Sequence, residues 1–240
     1  MLSRSPFDMF VVVASPLIFA TLARYAYAGQ PAEALLVGAI AAGVMGIWSS
    51  TTASGAGALQ TQRYYGVLEL LVASPVPFWA VVLPISVAIS GIGVYSLLVG
   101  LGYVRLVYGV PIEIHDWPAF VVGVVVTIGS IGALGFVLAS ALVRYRSAFM
   151  IGNVFEWPVW LICGLLVPVA TLPGWLQPVS WALAPTWGMR ALRDATLGQA
   201  GAWPAIGVGV ALGVLYLVVG GALLRVFVRL ARADATLSLT

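Results

Sequence analysis

Residues 34–60 read ALLVGAIAAGVMGIWSSTTASGAGALQ and contain no charged side chain. A helix needs about 20 apolar residues to cross the hydrocarbon of a bilayer, and this stretch exceeds that length. Its Gly38, Ala42 and Gly46 recur every fourth residue, a spacing that lets the backbones of two helices approach closely. The stretch therefore predicts a membrane-spanning helix with a close-packing face.

The rest of the chain repeats this pattern. Of its 240 residues, 62% are hydrophobic and only 8% are charged, whereas roughly 25% of the residues of an ordinary soluble domain are charged. The apolar stretches long enough to span a bilayer lie at about 6–23, 34–60, 78–102, 119–143, 147–169 and 204–224. The sequence predicts an all-α integral membrane protein with six transmembrane helices in one domain over residues 1–240.

An apolar segment between the last two spans cannot form one straight helix. Residues 172–197 contain the helix breakers Pro173, Gly174, Pro178 and Pro185. Tryptophans follow one another at every sixth position, and tryptophan prefers the headgroup level of a membrane. The segment predicts short, broken re-entrant helices before the sixth span, and a plain interfacial loop is the alternative.

Arginine distribution predicts the orientation, because cytoplasmic loops carry an excess of basic residues. With six spans both termini share one side, which carries Arg4, Arg63, Arg144, Arg146, Arg225, Arg229 and Arg232. The other side carries Arg24, Arg105, Arg190 and Arg193. Both termini are therefore expected on the cytoplasmic side of a bacterial plasma membrane. Because the arginines are scattered singly among apolar runs, no nucleic-acid partner is expected. The cluster of Arg225, Arg229 and Arg232 after the last span predicts contact with the anionic headgroups of membrane lipid.

The segment between the second and third spans reads QRYYGVLELLVASPVP from Gln62 to Pro77. Its apolar residues recur at helical spacing, which predicts a short amphipathic helix over 66–74 that ends before Pro75. This segment resembles the "R-x-x-G-T-L-E-x-L-L-x-x-P-V" motif of the permeases of ABC-2 type exporters. The matching residues are Arg63, Gly66, Leu68, Glu69, Leu71, Pro75 and Val76.

A second match precedes the last span. Residues 183–198 resemble the family's "N-P-x-x-x-x-x-x-x-R-x-x-x-L-G" region, with Pro185, Arg193, Leu197 and Gly198 in register, and Arg190 lies in the same segment. Val67 replaces the usual Thr of the first motif and Ala184 the usual Asn of the second. The order of the two motifs around three spans extends the resemblance to nearly the whole chain.

The resemblance implies that residues 66–74 form a coupling helix seated in a separate ABC ATPase subunit. Its contacts would come from Arg63, Gly66, Leu68, Glu69, Leu70 and Leu71. A second permease chain, identical or paralogous, would complete the path, and the small-residue stripe of the second span, with Gly209 and Gly213, offers possible faces for it. The chain contains no Lys, which a phosphate-binding loop requires. ATP and Mg²⁺ are thus expected on the partner, with no catalytic residue or cofactor on this chain.

Glu156 is an acidic residue in the interior of a predicted span, 147–169. An unpaired charge at the bilayer centre is unfavourable by at least ~2.5 kcal/mol, so a partner such as Asn153, Arg144 or Arg146 is expected. The pair Glu156 and Asn153 is either a polar transport site or a structural hydrogen bond. The first reading supports an alternative function, a proton-coupled secondary transporter, and a channel or scaffold is the other alternative.

Two further residues could carry chemistry. His115 lies between Glu113 and Asp116 in a predicted outer loop, where solvated loop residues are a better explanation than a metal site. Cys163 is the only cysteine, which excludes a disulfide framework within the chain. We expect it to be packed and inert.

Overall fold

A computed structural model of the chain describes residues 31–64, 93–142 and 156–234, together with 14, 17–22, 24–25, 29, 83–84, 87–88, 90–91 and 154. In 52–64, 142 and 227–234 it describes the helical backbone alone. Every regular element in these ranges is helical, as predicted. The helices are α1 (Ala32–Tyr64), α2 (Val94–Tyr108), α3 (Trp117–Leu142), α4 (Glu156–Ile162), α5 (Gln177–Trp181), α6 (Ala184–Thr196) and α7 (Ala202–Asp234), with a 3₁₀ turn at Val169–Thr171.

Three of the described helices are long and apolar enough to cross a membrane. The segments that meet both criteria are Ala32–Thr51 in α1, Trp117–Ala141 in α3 and Ala202–Val226 in α7. These segments overlap the predicted spans 34–60, 119–143 and 204–224. The count of six spans stays a prediction.

Helix α1 occupies the centre of the described body. In its spanning window 72% of the residues are buried, compared with 22% in α7. Val210, Val214 and Val218 recur every fourth residue of α7 and are exposed, which forms an apolar outer face. Such a face is stable where lipid or another apolar surface covers it.

Helices α1 and α2 run antiparallel and touch through glycine. A Cβ atom added to Gly43 would lie 2.7 Å from the Cα atom of Leu97, and one added to Gly93 would lie 2.6 Å from the Cα atom of Ile47. Residue numbers therefore rise along α1 in the direction in which they fall along α2. Only glycine permits backbones to approach so closely.

Helices α3 and α7 run parallel. Gly209 faces Val126, and four residues further along, Gly213 faces Ser130. A Cβ atom on Gly213 would lie 3.5 Å from the Cβ atom of Ser130, an ordinary packing distance. The two helices therefore begin at the same end of the body.

Some of the small residues considered for a second chain contact helices of the same chain. Gly38 and Ala42 are buried and Gly46 is half-buried, and a Cβ atom at Gly46 would overlap the side chain of Ser96 in α2. Gly209 and Gly213 contact α3, as described above. Gly46, Gly209 and Gly213 thus pack against helices of their own chain, and which face meets a sister chain stays a prediction.

Two boundaries differ from the predicted spans. Instead of continuing to 169, α4 ends at Ile162, because Gly164 has a φ of +77°, a conformation that stops a helix. Instead of ending at 102, α2 continues to Tyr108 and places Arg105 in its last turn. Gly109 then ends it with a φ of +67°.

The residues before α1 that the structure describes pack on α2 and α4. The Thr21 hydroxyl lies 3.2 Å from the Tyr103 hydroxyl, and the Phe19 ring meets the Trp160 ring edge to face at 5.2 Å between centroids. Arg24 lies over the Tyr108 ring, 5.7 Å from its centroid. Residues 17–22 and 24–25 therefore run toward the end at which α2 finishes.

Candidate functional site

Helix α6 is amphipathic, and one of its faces is fixed against α3. Gly188 lies beside Thr127, so that an added Cβ atom would lie 2.6 Å from the threonine Oγ1. Leu192 is fully buried and contacts Gly123 of α3. The opposite face of α6 is left free to line a cleft.

Tyr216 of α7 anchors the start of α6. Its hydroxyl donates a hydrogen bond to the carbonyl oxygen of Ala182, 2.5 Å away. The same hydroxyl accepts a hydrogen bond of 3.2 Å from the N–H of Ala184. Pro185 lies in the first turn of α6, where the missing N–H of proline is harmless. The tyrosine thus binds both sides of the break between α5 and α6.

His115 and Asp116 contact the C-terminal end of α6 through hydrogen bonds. His115 Nδ1 lies 2.7 Å from the carbonyl oxygen of Thr196, and the N–H of Asp116 donates to the carbonyl oxygen of Ala195 at 3.0 Å. The Asp116 carboxylate also accepts a hydrogen bond of 2.9 Å from the N–H of Ala119, which caps α3. These two residues are therefore structural as well as solvated, and the described residues contain no cluster suited to a metal ion.

The free face of α6 lines a cleft of about 300 Å³ at the end of the body where α1, α3 and α7 begin. This volume lies at the lower end of the roughly 300–1,000 Å³ typical of small-molecule sites. Its walls come from three helices, α1, α5 and α6, and from the turns that follow α4. The residues that line it include Cys163, Trp181, Trp187, Arg190, Arg193 and Asp194.

One buried carboxylate holds two arginines in this cleft. Asp194 Oδ2 lies 3.6 Å from Arg190 Nε, and Asp194 Oδ1 lies 3.8 Å from Arg193 Nε. The Asp194 side chain is 6% exposed, whereas those of Arg190 and Arg193 are 58% and 47% exposed. Gly201 lies so close to the carboxylate that a Cβ atom there would overlap it. The cleft therefore carries two cations and one anion, a formal net charge of +1.

Two indoles complete the cleft. Trp187 Nε1 donates a hydrogen bond of 2.7 Å to the carbonyl oxygen of Trp181. The Arg190 guanidinium lies 5.6 Å from the centroid of the Trp187 ring, within the range of a cation–π interaction. Trp181 is exposed. Arg190 is thus oriented by an aromatic ring on one side and by Asp194 on the other.

Glu156 begins α4, and Ser49 of α1 donates a hydrogen bond to its carboxylate. The sequence had suggested Asn153, Arg144 or Arg146 as partners, and these three lie outside the described residues. Ser49 was not foreseen. The contact joins two helices through residues that lie 107 positions apart in the sequence.

The structure brings together part of the predicted site. Pro185, Arg190 and Arg193 share α6, and both arginines line the cleft. The side chain of Arg63 and the residues Gly66, Leu68, Glu69, Leu70 and Leu71 lie outside the described part of the chain. Asp194 and Cys163 were missed as cleft residues. The i, i+4 spacing of Arg190 and Asp194 was the signal that could have identified the acid.

Long apolar helices, outward-facing apolar surfaces and a small polar cleft at one end define an α-helical integral membrane protein. A protein-family model described as ABC-2 type transporter matches residues 1–197. The chain therefore belongs to the ABC-2 type transporter membrane family, whose members are permease components of membrane transporters. No curated protein matches the sequence significantly.

Proposed function

We propose that the chain is the membrane-spanning permease subunit of an ATP-driven exporter. The family match over residues 1–197 carries this proposal, and it includes the segment from Gln62 to Pro77 that resembles the coupling region. Two permease chains would enclose a path, and two ABC ATPase subunits would supply the energy from ATP and Mg²⁺. The cargo would be hydrophobic or amphipathic, in keeping with the apolar helices.

The directions of the described helices support six spans with cytoplasmic termini. Helices α1, α3 and α7 begin at the cleft end, and α2 finishes there. Arg105, Arg190 and Arg193 lie at that end, which we assign to the outside of a bacterial plasma membrane. The proposed coupling helix follows α1 and would then face the cytosol.

The coupling helix would transmit ATPase movement to the spans. Leu68, Leu70 and Leu71 would insert into the ATPase, and Arg63 and Glu69 would form polar contacts around them. Buried apolar side chains usually dominate such contacts, whereas exposed charge pairs contribute little.

Transport by purified permease and ATPase in vesicles tests the coupling helix. Gly66→Pro and Leu70→Asp should abolish ATP-dependent transport while leaving the permease in the membrane. Leu106→Asp is a matched control, because Leu106 is 85% exposed at the cleft end. Transport by Leu70→Asp at the wild-type rate would contradict the assignment.

A proton-coupled secondary transporter is the second candidate, and the contact between Ser49 and Glu156 is the observation that favours it. A carboxylate shared between two helices could take up and release a proton as they move. This candidate requires transport without an ATPase and loss of transport in Glu156→Gln.

A further inference from the structure

We propose that the cleft beside Asp194 binds the phosphate group of a net-anionic, amphipathic phosphate ester. This inference concerns binding by the isolated chain and goes beyond the proposed export function. It rests on the charge of the cleft, the free ends of its arginines and the character of its walls.

The charge of the cleft is unbalanced. Among the residues lining it, Arg190 and Arg193 are the cations and Asp194 is the anion. A ligand with one negative charge would neutralise the remaining +1. Because the cleft lies between protein walls with a low dielectric constant, this attraction is stronger than it would be in bulk water.

Arg190 and Arg193 are oriented so that the terminal amino groups of their guanidiniums can bind a ligand. Asp194 approaches both of them at Nε, and in the described part of the chain no other acidic group pairs with either. The two arginine side chains are about half exposed, and their terminal amino groups remain available to donate. Two planar forks suit the oxygens of a phosphate, which arginine binds in bidentate geometry.

The walls of the cleft favour a ligand that is partly apolar. Leu165, Pro168 and Val169 form one side, and the two indoles form another. Tryptophan prefers the headgroup level of a membrane, which is where the phosphate of a lipid lies. An inorganic anion would leave these apolar walls without a partner.

The test uses the full-length chain, purified and stripped of lipid, with binding measured by native mass spectrometry. We expect phosphatidylglycerol, which is anionic, to bind about tenfold more tightly than zwitterionic phosphatidylcholine, since one charge-assisted contact changes affinity by that order. Arg193→Gln should remove this preference. Arg105→Gln is the matched control, because Arg105 is exposed at the same end and does not line the cleft.

Soluble glycerol 3-phosphate distinguishes the two sources of a phosphate ester. Displacement of the lipid only at far higher concentration supports the amphipathic ligand, and equal affinity for the soluble ester overturns that part of the proposal. Equal binding of the two lipids by the wild-type chain overturns the proposal even if Arg193→Gln fails to fold. So does an unchanged lipid preference in a folded Arg193→Gln variant.

Discussion

Ser49 in α1 donates a hydrogen bond to the Glu156 carboxylate at the first residue of α4. The contact fixes a short helix to the central helix of the protein. In an apolar environment a hydrogen bond of this kind satisfies a polar group that would otherwise be unfavourable to bury. Glu156 therefore has a structural task whichever transport mechanism operates.

Replacing Glu156 separates the two proposed mechanisms. Under the export proposal, Glu156→Gln should transport at close to the wild-type rate, because the amide oxygen still accepts the hydrogen bond from Ser49. Glu156→Ala should lower the free energy of unfolding by about 0.6–2 kcal/mol, the range for hydrogen bonds between membrane helices. Vesicle transport assays and unfolding in mixed detergent micelles measure the two effects.

The secondary-transporter proposal gives the opposite result for Glu156→Gln. If the glutamate carries protons, this variant should lose proton-coupled transport although it remains folded. Loss of transport with an unchanged unfolding free energy would contradict a purely structural role.

The hydrogen bonds of Tyr216 should contribute to stability. Tyr216→Phe removes the hydroxyl that bridges Ala182 and Ala184, leaving the buried Ala184 N–H without its partner. We expect the free energy of unfolding to fall by about 1–3 kcal/mol. Tyr95→Phe is the control, because Tyr95 is 41% exposed and should change stability little. Equal stability of the two variants would show that the bridge contributes nothing.

The contact between α1 and α2 predicts opposite effects for two glycine substitutions. In Gly43→Ala the new methyl group meets the backbone of Leu97, and we expect destabilisation of about 1–3 kcal/mol from overpacking. In Gly102→Ala nothing lies within 4 Å of the added atom. That variant should be up to about 1 kcal/mol more stable, because alanine favours the helix.

Unfolding free energies of both glycine variants, measured side by side, check the antiparallel contact. A Gly43→Ala variant as stable as Gly102→Ala would mean that the two helices do not touch at Gly43.

Asp116 should stabilise the start of α3 as its cap. Asp116→Ala is expected to reduce the free energy of unfolding by about 1 kcal/mol, whereas Asp116→Asn should retain most of it, because asparagine is also a good cap. Glu113→Ala, a change in the same loop at an exposed residue, is the control. If Asp116→Asn were as destabilised as Asp116→Ala, the effect would come from charge instead of capping.

The long helices can be predicted from the sequence, because a helix that spans a membrane needs about 20 apolar residues. Uninterrupted apolar length predicts spans over 119–143 and 204–224, where the structure has α3, Trp117–Leu142, and α7, Ala202–Asp234. The end of α4 does not follow from apolar length, because the apolar run continues past the local stop signals Gly164 and Pro168.

Only part of the cleft can be predicted from the sequence. Arg190 and Arg193 were identified from a motif, but their shared carboxylate depends on the burial of Asp194 beneath Gly201, which is a three-dimensional contact. The partner of Glu156 comes from a helix far away in sequence, and no local spacing predicts it. The glycine faces were correctly identified as packing surfaces, but their partners could not be assigned without the fold.

We propose above all that this permease works with a separate ATPase, which residues 66–74 hold. The most direct measurement is Mg²⁺-dependent ATP hydrolysis by the complex purified through a tag on the full-length permease from its native membrane. Wild type and Leu106→Asp should retain an ATPase subunit with a phosphate-binding loop, identified by mass spectrometry, and Leu70→Asp should lose hydrolysis by about tenfold or more. Undiminished hydrolysis in Leu70→Asp, or ATP-independent transport by a wild-type permease that retains no ATPase, would contradict the claim.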